Sequence, residues 1–133
     1  MIKINELRLG NFLKYGDDII TVTSIFRSHF ICERLNGVII GNNHQNNFQP
    51  IPLTPDTISK CTSLKLVDSN EWWDCYQSEN GWYIAYAKHT EALAGIKAGN
   101  FYQGNGFRKV DYIHDLQNLY FCTSFKKELE FIW

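Results

Sequence analysis

The stretch Tyr112-Ile-His-Asp-Leu-Gln-Asn-Leu-Tyr-Phe121 constrains this chain more than any other segment. Read as a helix, it places Tyr112, Leu116, Leu119 and Tyr120 on one stripe with Ile113 beside it, the i, i+3, i+4 spacing of a face packed on a sheet. His114, Asp115, Gln117 and Asn118 fall on the other side, so that side is expected to be wet. Asp111 stands where an N-cap belongs; its carboxylate would accept a bond from a first-turn amide and complement the helix dipole.

The residues before this helix read as short strands. Phe12–Tyr15 and Ile19–Ile25 flank the turn cluster Gly16-Asp17-Asp18, and Phe30–Arg34 and Val38–Ile40 flank Asn36-Gly37, a pair that tolerates the positive φ of tight hairpins. Four such strands predict a small, SH3-like, curled antiparallel sheet over 1–53. Pro50-Ile-Pro-Leu-Thr-Pro55 cannot continue a central strand, because proline lacks the ladder donor and restricts its predecessor. It marks the lobe boundary, and Thr54 before Pro55 predicts a short helix to about Cys61. The second lobe, 54–133, is expected to hold strands at 64–67, 72–77, 82–87 (across Asn80-Gly81), 101–103 and 107–110, then the helix near 111–124 and a last strand at 128–133. Segment 88–99 is ambiguous, since Gly95 and Gly99 weaken the helical turn that Ala92–Ala98 would make. The fold class expected is α+β, an antiparallel second lobe packed on a C-terminal helix, with the two lobes forming one unit.

At 133 residues the chain can bury a core without disulfides or metal. The formal net charge of -1 lacks the electrostatic signature of a non-specific DNA binder, so nucleic acid is not the expected partner. Cys32, Cys61, Cys75 and Cys122 form no Cys-x-x-Cys pair and have no histidine at zinc spacing; buried, reduced thiols are expected, with no metal and no cofactor. The first residues contain no signal-like apolar run and no segment approaches bilayer-spanning length, which predicts a cytoplasmic protein without membrane contact.

Aromatic residues make up 15% of the chain. Such an excess suits either a tightly filled core or stacking surfaces and a subunit interface. The best local candidate for a site is Gly99–Lys109. Gly104, Asn105 and Gly106 would let backbone amides approach an anion, Arg108 and Lys109 can pair with phosphate, and Phe101 or Tyr102 could stack on a base. The spacing matches neither a P-loop nor a dinucleotide fingerprint, and a plain hairpin turn explains it too. Arg27, His29 and Arg34 form a second basic cluster around a first-lobe turn, suited to phosphate or an acidic partner, or to a guarded sheet edge. No HExxH or nucleophile elbow is present, and on a helix adjacent His114 and Asp115 point about 100° apart. No catalytic residues are assigned.

Glu6-Leu-Arg-Leu-Gly-Asn11, Pro50-Ile-Pro-Leu-Thr54 and Tyr112–Phe121, in this order, resemble the motifs of a family of small uncharacterised proteins carried by bacteriophages and mobile elements of gut-type bacteria. Lys88–Gly106 departs from that pattern, and the family's usual glycine after the helix is absent near Ser124. The resemblance implies no catalytic residues. It implies a context in which small proteins bind or block a host component. The expected function is therefore a non-enzymatic binder that sequesters a small, anionic, nucleotide-derived immune signal (cyclic-nucleotide-like), as a homo-oligomer. Alternatives are a protein–protein inhibitor of a host enzyme, a nucleic-acid-binding module on the small barrel, and a nucleotide hydrolase.

Overall fold

Asn36-Gly37 and Asn80-Gly81 both reverse the chain, with φ of 90° at Gly37 and 87° at Gly81, a region that side chains bearing a Cβ seldom enter. Around these turns the protein folds as α+β, with two antiparallel sheets and a C-terminal helix. The computed structural model describes residues 2–40, 47–89, 95–104 and 107–133. The chain divides into two compact units, Met1–Ile51 with Tyr112–Asn118 and Pro52–Asp111 with Leu119–Trp133. No helix among the described residues is long and apolar enough to cross a membrane.

In the first unit a short 3-10 helix, Ile4–Glu6, precedes β1 (Phe12–Tyr15), β2 (Asp18–Ile25), β3 (Phe30–Arg34), β4 (Ile39–Ile40) and β5 (Phe48–Gln49). They form one antiparallel sheet in the order β4-β3-β2-β1-β5, curled into a half-barrel. A register slip between Val22 and Ser24 opposite β3 adds local twist, as a bulge does. Alternate residues Leu13, Ile20, Val22, Phe30 and Cys32 point inward and pack with Phe48. The Phe48 ring lies 5.1 Å from those of both Phe30 and Tyr15.

In the second unit α1 (Pro55–Ile58) starts at a reciprocal capping box: Thr54 Oγ1 accepts from Thr57 N–H at 3.1 Å and Thr57 Oγ1 accepts from Thr54 N–H at 2.8 Å. It ends three residues before the expected Cys61. The sheet β6 (Lys65–Ser69), β7 (Trp73–Gln77), β8 (Tyr83–Ala87), β9 (Phe101–Gln103), β10 (Arg108–Val110) runs in the order β10-β9-β8-β7-β6. Ile84, Phe101 and Val110 are buried on one face. Ala87, Ile96 and Tyr102 form a smaller cluster with Trp73. The Trp82 ring meets Tyr120 edge-on at 5.1 Å, and its Nε1–H donates to Thr123 Oγ1 at 2.8 Å. The strand expected at 128–133 is reduced to a single bridge, Cys61 to Phe131, because its neighbour is the turn after α1 rather than an extended strand. Part of the ambiguous segment, 90–94, lies outside the described residues.

Helix α2 (Ile113–Thr123) buries a different stripe from the one its apolar residues predict. Ile113, Leu116, Gln117 and Tyr120 are buried, with His114 beside them, while Leu119 is half-buried and Tyr112 exposed. The first helical bond runs from Leu116 N–H to Tyr112 O at 3.0 Å. Tyr112 therefore holds the N-cap position expected for Asp111, whose carboxylate instead lies 3.3 Å from Lys109 Nζ. At the other end Lys126 N–H returns to Phe121 O at 3.0 Å, a Schellman closure with Phe125 at φ 55° and Lys126 at φ 61° where glycine is usual.

Candidate functional site

The sequence motifs at the two ends of the first unit bind each other. Gln117 grips the entry to β1 with both ends of its amide: Oε1 accepts from Phe12 N–H at 2.9 Å and Nε2 donates to Gly10 O at 3.0 Å. Asn118 Oδ1 accepts from Asn11 Nδ2 at 2.8 Å and from Arg8 Nε at 3.3 Å, while its Nδ2 donates to Glu6 O at 2.9 Å. Asn11 Oδ1 takes Arg8 N–H at 2.8 Å. Gly10 N–H and Asn11 O close the knot onto β2 through Val22, at 2.8 and 2.9 Å. Each amide in this partly buried network is matched at both ends, the condition under which a polar cluster fixes register instead of weakening the core. Glu6–Asn11 and Gln117-Asn118 are thereby given a structural role. In the same unit Ile113 N–H donates to Ile51 O at 2.9 Å, which ties in the proline segment.

His114 is the exception to this matching. Its ring is buried, stacked 5.8 Å from Tyr112, and neither ring nitrogen makes a hydrogen bond among the described residues. Asp115 Oδ1 comes within 3.4 Å of Nε2, an electrostatic approach without hydrogen-bond alignment. Burial lowers the imidazole below its ordinary value, and Asp115 and Glu6 oppose that shift.

Phe101 and Tyr102 were expected to offer open ring faces, but both are buried. Phe101 packs 4.8 Å from Tyr86 and 6.2 Å from Tyr76, and Tyr102 Oη accepts from Lys97 N–H at 3.1 Å. The cause is packing on each face of the sheet: Phe101 shares one face with Ile84, Tyr86 and Val110, and Tyr102 lies on the other with Ala87, Ile96 and Trp73. Arg108 and Lys109 are exposed on β10, an edge strand, and Gly104 takes φ 78° in the turn. Asn105 and Gly106 lie outside the described residues. In the first unit Arg27 is exposed, His29 stacks on Phe26 at 4.5 Å, and Arg34 is paired with Asp18 and lies 5.8 Å over the Tyr15 ring.

A half-open cavity of about 480 Å³ lies elsewhere in the second unit, and none of the eight described residues expected to bind ligand lines it. Thr62 and Ser63 follow α1, Lys65 and Val67 come from β6, Gln77 from β7, and Ser78 to Asn80 from the hairpin turn. Tyr120 of α2 and Lys127, Glu128 and Glu130 complete the wall. The C-terminal segment is held there by Thr62 N–H to Glu130 O and Ile132 N–H to Lys60 O, both 2.8 Å, and by Glu130 N–H to Ser63 Oγ at 2.8 Å. The turn is braced by Ser78 N–H to Trp82 O at 2.8 Å and Gln77 Nε2 to Gly81 O at 3.3 Å. Lys65 and Lys127 form no ion pair among the described residues. Nothing local in the sequence marks this set, because its members come from separate segments that only the C-terminal return brings together.

The thiols are poor nucleophiles where they are buried. Burial pushes Cys32 up to about 12 and Cys61 up to about 11. Cys122, expected to be buried, is exposed on α2. The described residues contain no group of His, Cys, Asp and Glu side chains arranged to hold a metal ion. Fold and cavity together define an α+β protein of two antiparallel sheets with a polar concavity in its second unit. No family model, curated protein or solved structure matches the chain.

Proposed function

We propose that this is a non-catalytic binding protein that holds a small, anionic, hydroxyl-bearing ligand, a nucleotide-derived molecule with one or two phosphates, in the cavity of the second unit. The observation that carries this reading is the pair Lys65 and Lys127, two ammonium groups without an ion pair among the described residues, at a concavity of about 480 Å³, inside the roughly 300–1,000 Å³ range of small-molecule sites. Hydroxyls of Thr62, Ser63 and Ser78 and the amides of Gln77 and Asn80 offer the donors and acceptors that ribose and base edges use. Glu79, Glu128 and Glu130 outnumber the two lysines, which disfavours a triphosphate and suits a ligand with one or two singly charged phosphodiesters and several N–H or O–H donors. The resemblance to phage-borne proteins fits a role in which affinity without turnover is sufficient.

Titration calorimetry against cyclic mono-, di- and trinucleotides, with nucleoside triphosphates as comparators, tests the proposal. Binding of a cyclic nucleotide, lost in Lys65→Ala or Lys127→Ala and followed by recovery of intact ligand, is the expected result. No heat from any of them at protein concentrations in the tens of micromolar would remove it, and converted ligand would make the protein a hydrolase.

A second reading, capture of a host protein, is favoured by Phe125. Its ring is 94% exposed next to Lys126 and Lys127, a pattern suited to an apolar pocket with an acidic rim. A pull-down that recovers one host protein with the native chain and none with Phe125→Ser would support it.

A further inference from the structure

An open antiparallel sheet leaves two edges, each a row of unpaired N–H and C=O groups that templates association unless it is blunted. The described strands leave four such edges, β4 and β5 in the first unit and β6 and β10 in the second. Three are blunted. β6 carries Lys65 and Asp68 and a register slip between Leu66 and Asp68. β10 presents Arg108 and Lys109. β5 is two residues long and runs into Pro50, which has no N–H to give.

β4 is also only two residues long but has no other such device. Val38-Ile39-Ile40 has neither charge nor proline, and Ile39 is 69% exposed, with Val38 at 52% and Leu35 in the preceding turn at 63%. Val38 O accepts from Arg34 N–H at 2.8 Å, and Ile39 lies opposite Glu33 on β3. Inward- and outward-pointing residues alternate along an antiparallel ladder. The N–H and C=O of Ile39 therefore point away from β3, at the open edge.

We infer that β4 is a self-association edge, at which a second copy of this chain pairs antiparallel about Ile39. A two-fold axis normal to the sheet requires the central residue to face itself. Centred on Ile39, that operation lets the two Ile39 residues exchange both backbone hydrogen bonds and sets each Val38 opposite Ile40 of the other copy. Within Val38–Ile40 every opposed pair is then a β-branched aliphatic pair, which packs well across strands, and no like charges meet there. The other edges fail the same operation. Centred on Val67, β6 would oppose Leu66 to Asp68; centred on Lys109, β10 would set two ammonium groups face to face.

Native mass spectrometry and sedimentation velocity of the full chain at tens of micromolar test the inference. Twice the chain mass is expected. Ile39→Lys places two like charges directly opposite each other and is expected to give the single-chain mass with an unchanged circular dichroism spectrum, since Ile39 is exposed and outside the buried cluster. Val38→Lys gives an independent reading if Ile39→Lys melts early. Val67→Lys on β6 should leave the dimer intact. A single-chain mass for the native protein overturns the inference, whether or not a foreign strand can be captured. So does a dimer undiminished by both β4 variants, or one dissociated by Val67→Lys instead.

Discussion

Replacing Gln117 by leucine tests whether the polar knot holds the first unit together. The side chain is 2% exposed and leucine keeps much of its volume, so lost packing is minor and lost hydrogen bonding dominates. Two backbone groups are stranded, Phe12 N–H and Gly10 O. A buried polar group left without its partner costs roughly 1–3 kcal/mol. Both bonds are only partly buried, so some water reaches them and the lower half of that range applies. The sum is roughly 2–4 kcal/mol. With a urea slope of about 2 kcal/mol per molar, the middle of the usual range, the unfolding midpoint should fall by roughly 1–2 M. Urea titration followed by fluorescence and circular dichroism measures the shift, and an unchanged slope shows that the same transition is observed. A Gln117→Leu midpoint within experimental error of the native one would mean that the motif pair does not hold β1 to the helix. Gln117→Glu refines the test. It retains an acceptor for Phe12 N–H but sets a carboxylate against Gly10 O, so its deficit should shrink as the pH is lowered and the acid is protonated.

Two further outcomes follow from helix α2. Phe125→Gly should stabilise the fold by about 1 kcal/mol, because a left-handed residue bearing a Cβ costs roughly 1–2 kcal/mol and the exposed ring gives up no packing; a lower thermal midpoint would show that the ring is held by contacts within the chain. His114 is buried neutral with its pKa lowered, so the unfolded chain binds its proton more readily than the folded one. Its contribution to stability is complete above the ordinary value of about 6.5 and declines as the pH falls below it, by at most about 1.4 kcal/mol per pH unit. His114→Leu should flatten the stability profile between pH 6.5 and the carboxylate range, and an equally steep profile in the variant would show that other groups titrate there.

The hairpins were readable in the sequence because their signals are local. Asn36-Gly37 and Asn80-Gly81 need only two residues to specify a turn, and Thr54-Pro55 specifies the start of α1 in the same way. The existence of α2 was equally readable, but its orientation was not. A hydrophobic stripe assigns Gln117 and His114 to water, since periodicity ranks residues by their own polarity. The stripe that forms is turned toward Gln117 because the backbone of Gly10 and Phe12, more than a hundred positions away, satisfies that amide. Phe101 and Tyr102 were misplaced for a related reason. Aromatic rings between glycines look available until residues from other strands and loops pack over each face of the sheet.

By itself, the sequence determined the α+β class, most of the strands, the Asn-Gly turns and the start of α1. These depend on φ preferences, capping chemistry and periodicities that act within a few residues. Tertiary structure decided which polar residues are buried, which strand edges are open and which side chains line the cavity of the second unit. Those properties depend on partners supplied by distant segments: an amide is core or surface according to whether another part of the chain meets its hydrogen bonds. Residue type alone does not carry that information.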